Sequence, residues 1–310
     1  MCALHASDFE LLALDETFDG EIRFNEPMRR HCTYRIGGPA YIWCEVCSVA
    51  ALGQAIKAIQ SDAISWIALG KGSNILVADE GYPGAIITLS GEFRQWSFEE
   101  ETDRVIVGAG TTLARLVQEA FHRGYSGMEF AVGTPGSVGG ALYMNAGTKD
   151  DWIGSRVVSV TTFSPEAGLV RHKGSEITWE YRHTSFDANE IIVECELQLE
   201  KAISGNIHDK MNKLLTRRKE MQPLNYPSCG SVFRNPEGKS AGALIDKVGL
   251  KGARCGGAQI SEKHANFIIN KTGEASAQDV VTLIERAQEK VREAYGIQLT
   301  TEVKFIGFPA

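Results

Sequence analysis

Three glycine-rich stretches hold the residues best suited to chemistry: LGKGSNIL (69–76), VGAGTT (107–112) and AVGTPGSVGGALYMNAG (131–147). Glycine permits positive φ and leaves its amide uncovered, so such turns can form concave sets of N–H donors suited to diphosphate oxygens. Ser73, Asn74, Ser137 and Asn145 add side-chain donors beside those amides. Neither standard nucleotide pattern is met. A P-loop needs GxxxxGK[ST], which is absent, and a dinucleotide fingerprint needs GxGxxG between strand and helix. GKGSNI (70–75) and GAGTTL (108–113) both fail at the third glycine. One such turn is more often a plain connection than a site. Three in one half of a chain point to a phosphate-bearing cofactor, held by neutral amides in a fold of another type.

Alternating strands and helices would position these turns. Ser48 can cap a helix with Leu52, Ala55, Ile56 and Ile59 at helical spacing. WIALG (66–70) and AIITL (85–89) read as short strands bounded by glycine. RVIVGAG (104–110) reads as a strand running into glycine, followed by a helix through Leu113, Leu116, Val117, Ala120 and Phe121 that ends at Gly124. RVVSVTTF (156–163) and IIVECELQLE (191–200) are strands; HDKMNKLLTRRKE (208–220) is a basic helix leading into the turn-rich PLNYPSCGSVFRNPEGKS. A long helix follows, with Ser276 and Asp279 as its capping pair and Gly296 at its stop, and the chain closes on a strand, TTEVKFIGF. The expected division is 1–95, 96–200 and 201–310.

Composition narrows the function classes. With 43% hydrophobic and 23% charged residues, the 310-residue chain is that of a globular protein. A net charge of −7 gives no general reason for a nucleic-acid partner. No apolar run reaches the length of a membrane helix, and the acidic MCALHASDFELLALDE lacks the basic flank and apolar centre of a signal peptide. The expectation is a cytoplasmic protein without membrane insertion. Seven scattered cysteines read as reduced thiols. Cys44 and Cys47 have CxxC spacing but sit in strand-like YIWCEVC without a second pair, and the histidines show no metal spacing, so no metal is expected.

TYRIGGPA (33–40), ALGKGSNILV (68–77), GMEFAVGTPGSVGGALYMNAG (127–147), YRHTSF (181–186), PSCGSVFRNP (227–236), GGAQISEKHANFIIN (256–270) and TEVKFIG (301–307) occur in that order. Together they resemble the UDP-N-acetylenolpyruvoylglucosamine reductase (MurB) family, over about residues 22 to 307. The resemblance implies an α+β fold: a two-subdomain FAD-binding module of the p-cresol methylhydroxylase type, followed by a C-terminal α/β substrate-binding domain. It implies non-covalent FAD, its diphosphate against Gly70, Lys71, Gly72, Ser73 and Asn74 and against Gly133, Thr134, Pro135, Gly136, Ser137, Gly139 and Gly140, with Asn145, Ala146 and Gly147 beside it. NADPH is the implied co-substrate and a UDP-sugar enolpyruvyl ether the substrate.

By the same resemblance Arg182 sits on the developing enolate and carboxylate. Glu302 is a second stabiliser, a hydrogen-bond donor only when protonated, and Ser231 protonates the carbon next to the carboxylate. Cys229 reads as packing. Arg218, Asn235, Lys251 and His264 match substrate-contacting positions; Arg217 and Lys219 flank Arg218 and leave its register open, and His264 departs from the amide that some members carry. The chain resembles the shorter form of the family, because the stretch between Phe186 and IIVECELQLE leaves no room for the inserted tyrosine loop. Two other readings stand beside this one: another FAD-dependent oxidoreductase of the same superfamily, and a non-catalytic nucleotide-binding regulator.

Overall fold

The computed structural model describes residues 7–309, so Cys2 and His5, with the start of the acidic N-terminal stretch, lie outside it. The chain divides into two units. The first comprises residues 1–24, 42–71 and 84–216, the second 25–41, 72–83 and 217–310.

A four-stranded sheet, drawn mainly from the first unit, runs in the order Gly20–Pro27, Pro39–Val46, Tyr82–Leu89, Trp66–Ala68, the last two strands parallel. The first unit also carries α1 (Ser7–Leu14) and α2 (Val49–Ser61). Ser48 accepts the Ala51 amide and so starts α2, whose Leu52, Ala55, Ile56 and Ile59 are buried as their spacing requires. A five-stranded antiparallel sheet is ordered Gly168–Lys173, Val157–Ser164, Ile191–Gln198, Arg104–Gly108, Trp96–Glu99. Cys195 pairs with Val107 on one side and Val160 on the other, and all three are buried in one apolar cluster.

Packed into that cluster are α3 (Leu113–His122) and α4 (Val138–Tyr143). Thr112 caps α3, and Gly124 follows its end with a left-handed φ of 72°. The stretch 131–147 is therefore more than a turn, because Ser137 starts a short helix within it. The basic helix α5 (Ser204–Met221) begins four residues earlier than its charge pattern suggests, and Met211, Leu214 and Leu215 pack on the same cluster.

In the second unit, Arg254–Cys255, Ala258–Ile260 and Ile268–Asn270 form an antiparallel sheet, accompanied by α6 (Ala241–Lys247) and α7 (Ala277–Tyr295). Ser276 and Asp279 complete a capping box on α7, and Gly296 closes it at φ 66°. The expected closing strand is shorter than TTEVKFIGF: only Lys304–Ile306 pairs, in parallel with Ile75–Val77. The residues before it are drawn off to another partner, since Thr301 bridges Phe233 and the Glu302 amide donates to Val232 O at 2.7 Å. Six of the seven cysteines are described, and none is in a disulfide. Among the described residues there is no helix long and apolar enough to cross a membrane and no metal-holding group of acidic, histidine and cysteine side chains.

Candidate functional site

In the first unit residues 69–71 of the first glycine stretch meet the other two stretches. Thr112 and Ser137 form an isolated antiparallel bridge, the Val138 amide donates to Thr111 O at 2.9 Å, and the Gly139 amide to Ala109 O at 2.9 Å. Gly70 lies directly on Ser137: a Cβ there would overlap Ser137 Oγ and stand 3.2 Å from Ser137 Cβ. Gly133 and Gly136 bend the loop through φ 68° and 145°, conformations that glycine adopts without a Cβ penalty. The amides of Gly70, Lys71, Gly133, Gly136 and Ser137 donate to no acceptor among the described residues. Gly133, Pro135 and Gly140 are exposed. These unspent N–H groups, with Lys71 the one cation among them, suit a diphosphate of a bound dinucleotide.

Two expected side-chain donors have further duties. Ser137 is 4% exposed and its Oγ accepts the Gly140 amide at 3.2 Å as the N-cap of α4. Asn145 adopts a left-handed φ of 41°; its Nδ2 donates to Glu180 O at 2.9 Å and its Oδ1 accepts the Gly154 amide at 3.2 Å. With both ends of its amide engaged inside the fold, Asn145 braces the loop instead of presenting a side chain outward.

Arg182 is held beside this loop. Its Nη1 donates to Gly147 O at 3.3 Å, and its guanidinium lies 5.3 Å from the Tyr181 ring. Its own φ is 57°, a left-handed setting that costs a non-glycine residue about 1 kcal/mol or more and that clusters at functional positions.

In the second unit Gly72, Ser73 and Asn74 lead into Ile75–Val77. Asn74 O accepts the Lys304 amide at 3.0 Å, and Asn74 Nδ2 donates to Glu302 O at 3.1 Å. With the Glu302 amide on Val232 O, this unit brings GSN (72–74), CGSVF and TEVKF together. Ser231 follows Gly230 (φ 80°), is half-buried, and makes no hydrogen bond among the described residues. Glu302 is 8% exposed, so its carboxylate is not one standing in open solvent. Burial pushes the Cys229 thiol up to about 12, with Glu302 and Cys32 adding to the effect. It stays protonated at neutral pH and is no nucleophile, as its reading as packing requires. Tyr34, fully buried, stands against Cys229 with its phenol raised well above its ordinary value, first by burial.

The expected substrate contacts lie in the same unit. Arg218 is half-buried while Arg217 and Lys219 are exposed, so Arg218 is the inward-facing cation of the three, and burial lowers its pKa. Asn235 Oδ1 accepts the Ala241 amide at 3.0 Å at the start of α6. His264 Cε1 would stand 3.2 Å from a Cβ on Gly242 of that helix. Lys251 pairs with Asp246 at 2.7 Å and acts electrostatically on His264. Burial first, then the Lys251 charge, lowers the His264 pKa, and its Nδ1 accepts the Asn266 amide at 3.2 Å. At neutral pH His264 is therefore a neutral ring with its donor at Nε2.

Residue-by-residue reading of the sequence gave no role to Thr33, although it lies in one of the quoted motifs. Its amide donates to Gly72 O at 3.1 Å and its hydroxyl to Ser228 O at 2.7 Å, fixing GKGSN and PSCGS against one another. Nothing in its spacing signals this, since its partners lie 39 and 195 residues away.

Residues 42–172 match an FAD binding domain family, and residues 222–306 match the C-terminal domain of UDP-N-acetylenolpyruvoylglucosamine reductase. UDP-N-acetylenolpyruvoylglucosamine reductase 2 of Symbiobacterium thermophilum is 41% identical, with 93% of each chain covered. The Bacillus subtilis reductase is 38% identical over 95% of this chain and 97% of its own. The crystal structure of the Thermus caldophilus reductase superposes with a TM-score of 0.81 at 36% identity, covering 93% of this chain and 98% of the other.

Proposed function

The chain belongs to the UDP-N-acetylenolpyruvoylglucosamine reductase family, and from that premise we propose that it is an NADPH-dependent flavoenzyme. It reduces UDP-N-acetylglucosamine enolpyruvyl ether to UDP-N-acetylmuramate in peptidoglycan precursor synthesis, in the cytoplasm. When bound, without a covalent link, FAD would supply hydride-transfer chemistry with NADPH as its reductant.

The chain's residues do the rest. The backbone of 70–74 and 133–147 grips the cofactor diphosphate through amides. Hydride addition to the vinyl carbon places negative charge next to the substrate carboxylate, and Arg182 neutralises it with a guanidinium fixed on Gly147 O. Glu302 is the second group at that charge. Ser231 delivers the proton to the carbon beside the carboxylate, and the alkoxide it briefly becomes needs hydrogen-bond donors beside it in the complex. Arg218, Asn235, Lys251 and His264 bind the UDP-sugar. The FAD module divides near residue 95, between the four-stranded and five-stranded sheets, and the substrate domain begins near residue 201.

The observation that carries this reading is the placement of Ser231 and Glu302 on two neighbouring segments, joined through the Glu302–Val232 hydrogen bond and backed by Asn74. A flavin oxidase of another specificity gives no reason for that pair, and a nucleotide-binding regulator needs neither residue. The test is anaerobic stopped flow. NADPH should bleach the flavin, and the enolpyruvyl substrate should restore its colour; reduced flavin that ignores the substrate sinks the reading. Ser231→Ala should leave bleaching nearly intact and slow the second half by several orders of magnitude. Equal loss in both halves counts against the proton-donor role.

A further inference from the structure

The glycine-rich cradle in the first unit is entered and left by acidic residues that the chemistry above does not use. Glu129 lies three residues before Val132 and is 2% exposed. Its Oε1 accepts the Ser126 hydroxyl at 2.6 Å, and its Oε2 accepts the Gly127 amide at 2.9 Å and Lys210 Nζ at 3.3 Å. Asp151 lies four residues after Gly147. Its carboxylate takes Arg156 at 3.2 Å and the same Lys210 Nζ at 3.7 Å, while its carbonyl accepts the Thr148 amide at 2.8 Å.

Lys210 comes from α5, outside the cradle, and its neighbour Met211 lines a cavity of about 320 Å³ that opens beside Val132 and Gly133. One ammonium thus stands between the carboxylates at the two ends of the loop. Without it those two like charges would face each other, with Arg156 alone on Asp151 to offset them, and like charges held close repel. A buried carboxylate left without its cation also pays a desolvation penalty that hydrogen bonds offset only in part.

We propose that Lys210, acting through Glu129 and Asp151, is a positioning residue that clamps the two ends of the 132–147 loop and so presets the diphosphate cradle for FAD. It touches neither substrate nor the reacting atoms. Its effect is on how far the cradle must reorganise when cofactor binds, and therefore on FAD affinity, not on the chemistry once FAD is in place. The inference rests on the flavoenzyme reading.

Lys210→Met preserves the stem and removes the charge; Lys210→Arg preserves the charge. Apoprotein of each variant is titrated with FAD by flavin fluorescence and melted without FAD. Because Lys210 is half exposed, with 48% of its side chain accessible, the methionine variant should fold, its apoprotein melting no more than about 4 °C below the parent. Its FAD dissociation constant should rise about tenfold, the arginine variant restoring most of the loss. At saturating FAD, the KM for the UDP-sugar should match the parent's. Glu129→Gln should weaken FAD in the same direction. An unchanged FAD constant in Lys210→Met overturns the clamp, as does a fall in apoprotein melting that accounts for the whole loss. A parent chain that binds no FAD overturns the flavoenzyme reading and the clamp with it.

Discussion

Gly70→Ala tests whether the cradle is built by contact between glycine turns far apart in sequence. Gly70 is not in the left-handed region, so alanine meets no backbone obstacle at its own position. What it meets is Ser137: the new methyl would overlap Oγ and sit 3.2 Å from Cβ. Ser137 cannot swing away cheaply, because it is buried and its Oγ holds the Gly140 amide. Overpacking of this kind costs about 1–3 kcal/mol, and surrendering the cap instead costs about 1 kcal/mol. If that strain is released when the loop moves and must be restored when FAD binds, affinity falls by roughly tenfold to a hundredfold. Removing the hydroxyl relieves the overlap and leaves a methyl pair that is tight by a few tenths of an ångström. Gly70→Ala/Ser137→Ala should therefore bind FAD better than Gly70→Ala alone, with a coupling of about 1–2 kcal/mol. FAD titration of the four apoproteins, with urea unfolding alongside, measures it. Additive losses would refute the contact, and so would an alanine at position 70 that binds FAD like the parent.

The other expectations are more local. Burial alone would raise Glu129, but the hydrogen bonds from Ser126 and Gly127 and the Lys210 charge bring it below its ordinary 4.5. Its contribution to stability is thus fully present above the unfolded value and lost as pH falls through the lower folded one, so the stability gap between the parent and Glu129→Gln should be widest near neutrality and narrow as pH falls below the ordinary 4.5; a gap that does not depend on pH would contradict it. Ser276→Ala removes half of the α7 capping box and should cost about 1 kcal/mol in urea unfolding, with a larger loss tempered by Asp79, whose carboxylate accepts the Ala277 and Gln278 amides. His264→Gln should leave the KM for the UDP-sugar within about threefold at neutral pH, since a neutral ring and an amide each offer one donor; a parent KM that falls steeply on acidification would show that the imidazolium binds.

How much of this was legible in the residues depends on the range of the interaction. Helices α2, α3 and α7 follow from apolar periodicity and local caps, because a serine or threonine three residues from its amide needs nothing else to act. The closing strand is shorter than its residue pattern predicts because Thr301 and Glu302 are claimed by Phe233 and Val232, about seventy residues away. The helical turn in 131–147 was hidden because its glycines suit loop and helix start alike, and the capping partner of Ser137 is another glycine. Thr33 and Lys210 carry no local signal at all.

The sequence by itself determined which kinds of group are available: bare amides with a single lysine, Lys71, for a diphosphate, a serine in CGSVF, an arginine after a tyrosine, a carboxylate near the end. Local propensity and ordered motifs are properties of the chain, so they survive without coordinates. Only the tertiary structure decided that Gly70 rests on Ser137, that Glu302 is buried beside Cys229, that Arg218 and not its neighbours faces inward, and that one ammonium serves both ends of the cradle. Those facts depend on which distant segments the core forces together. Packing sets them, and no spacing along the chain encodes it.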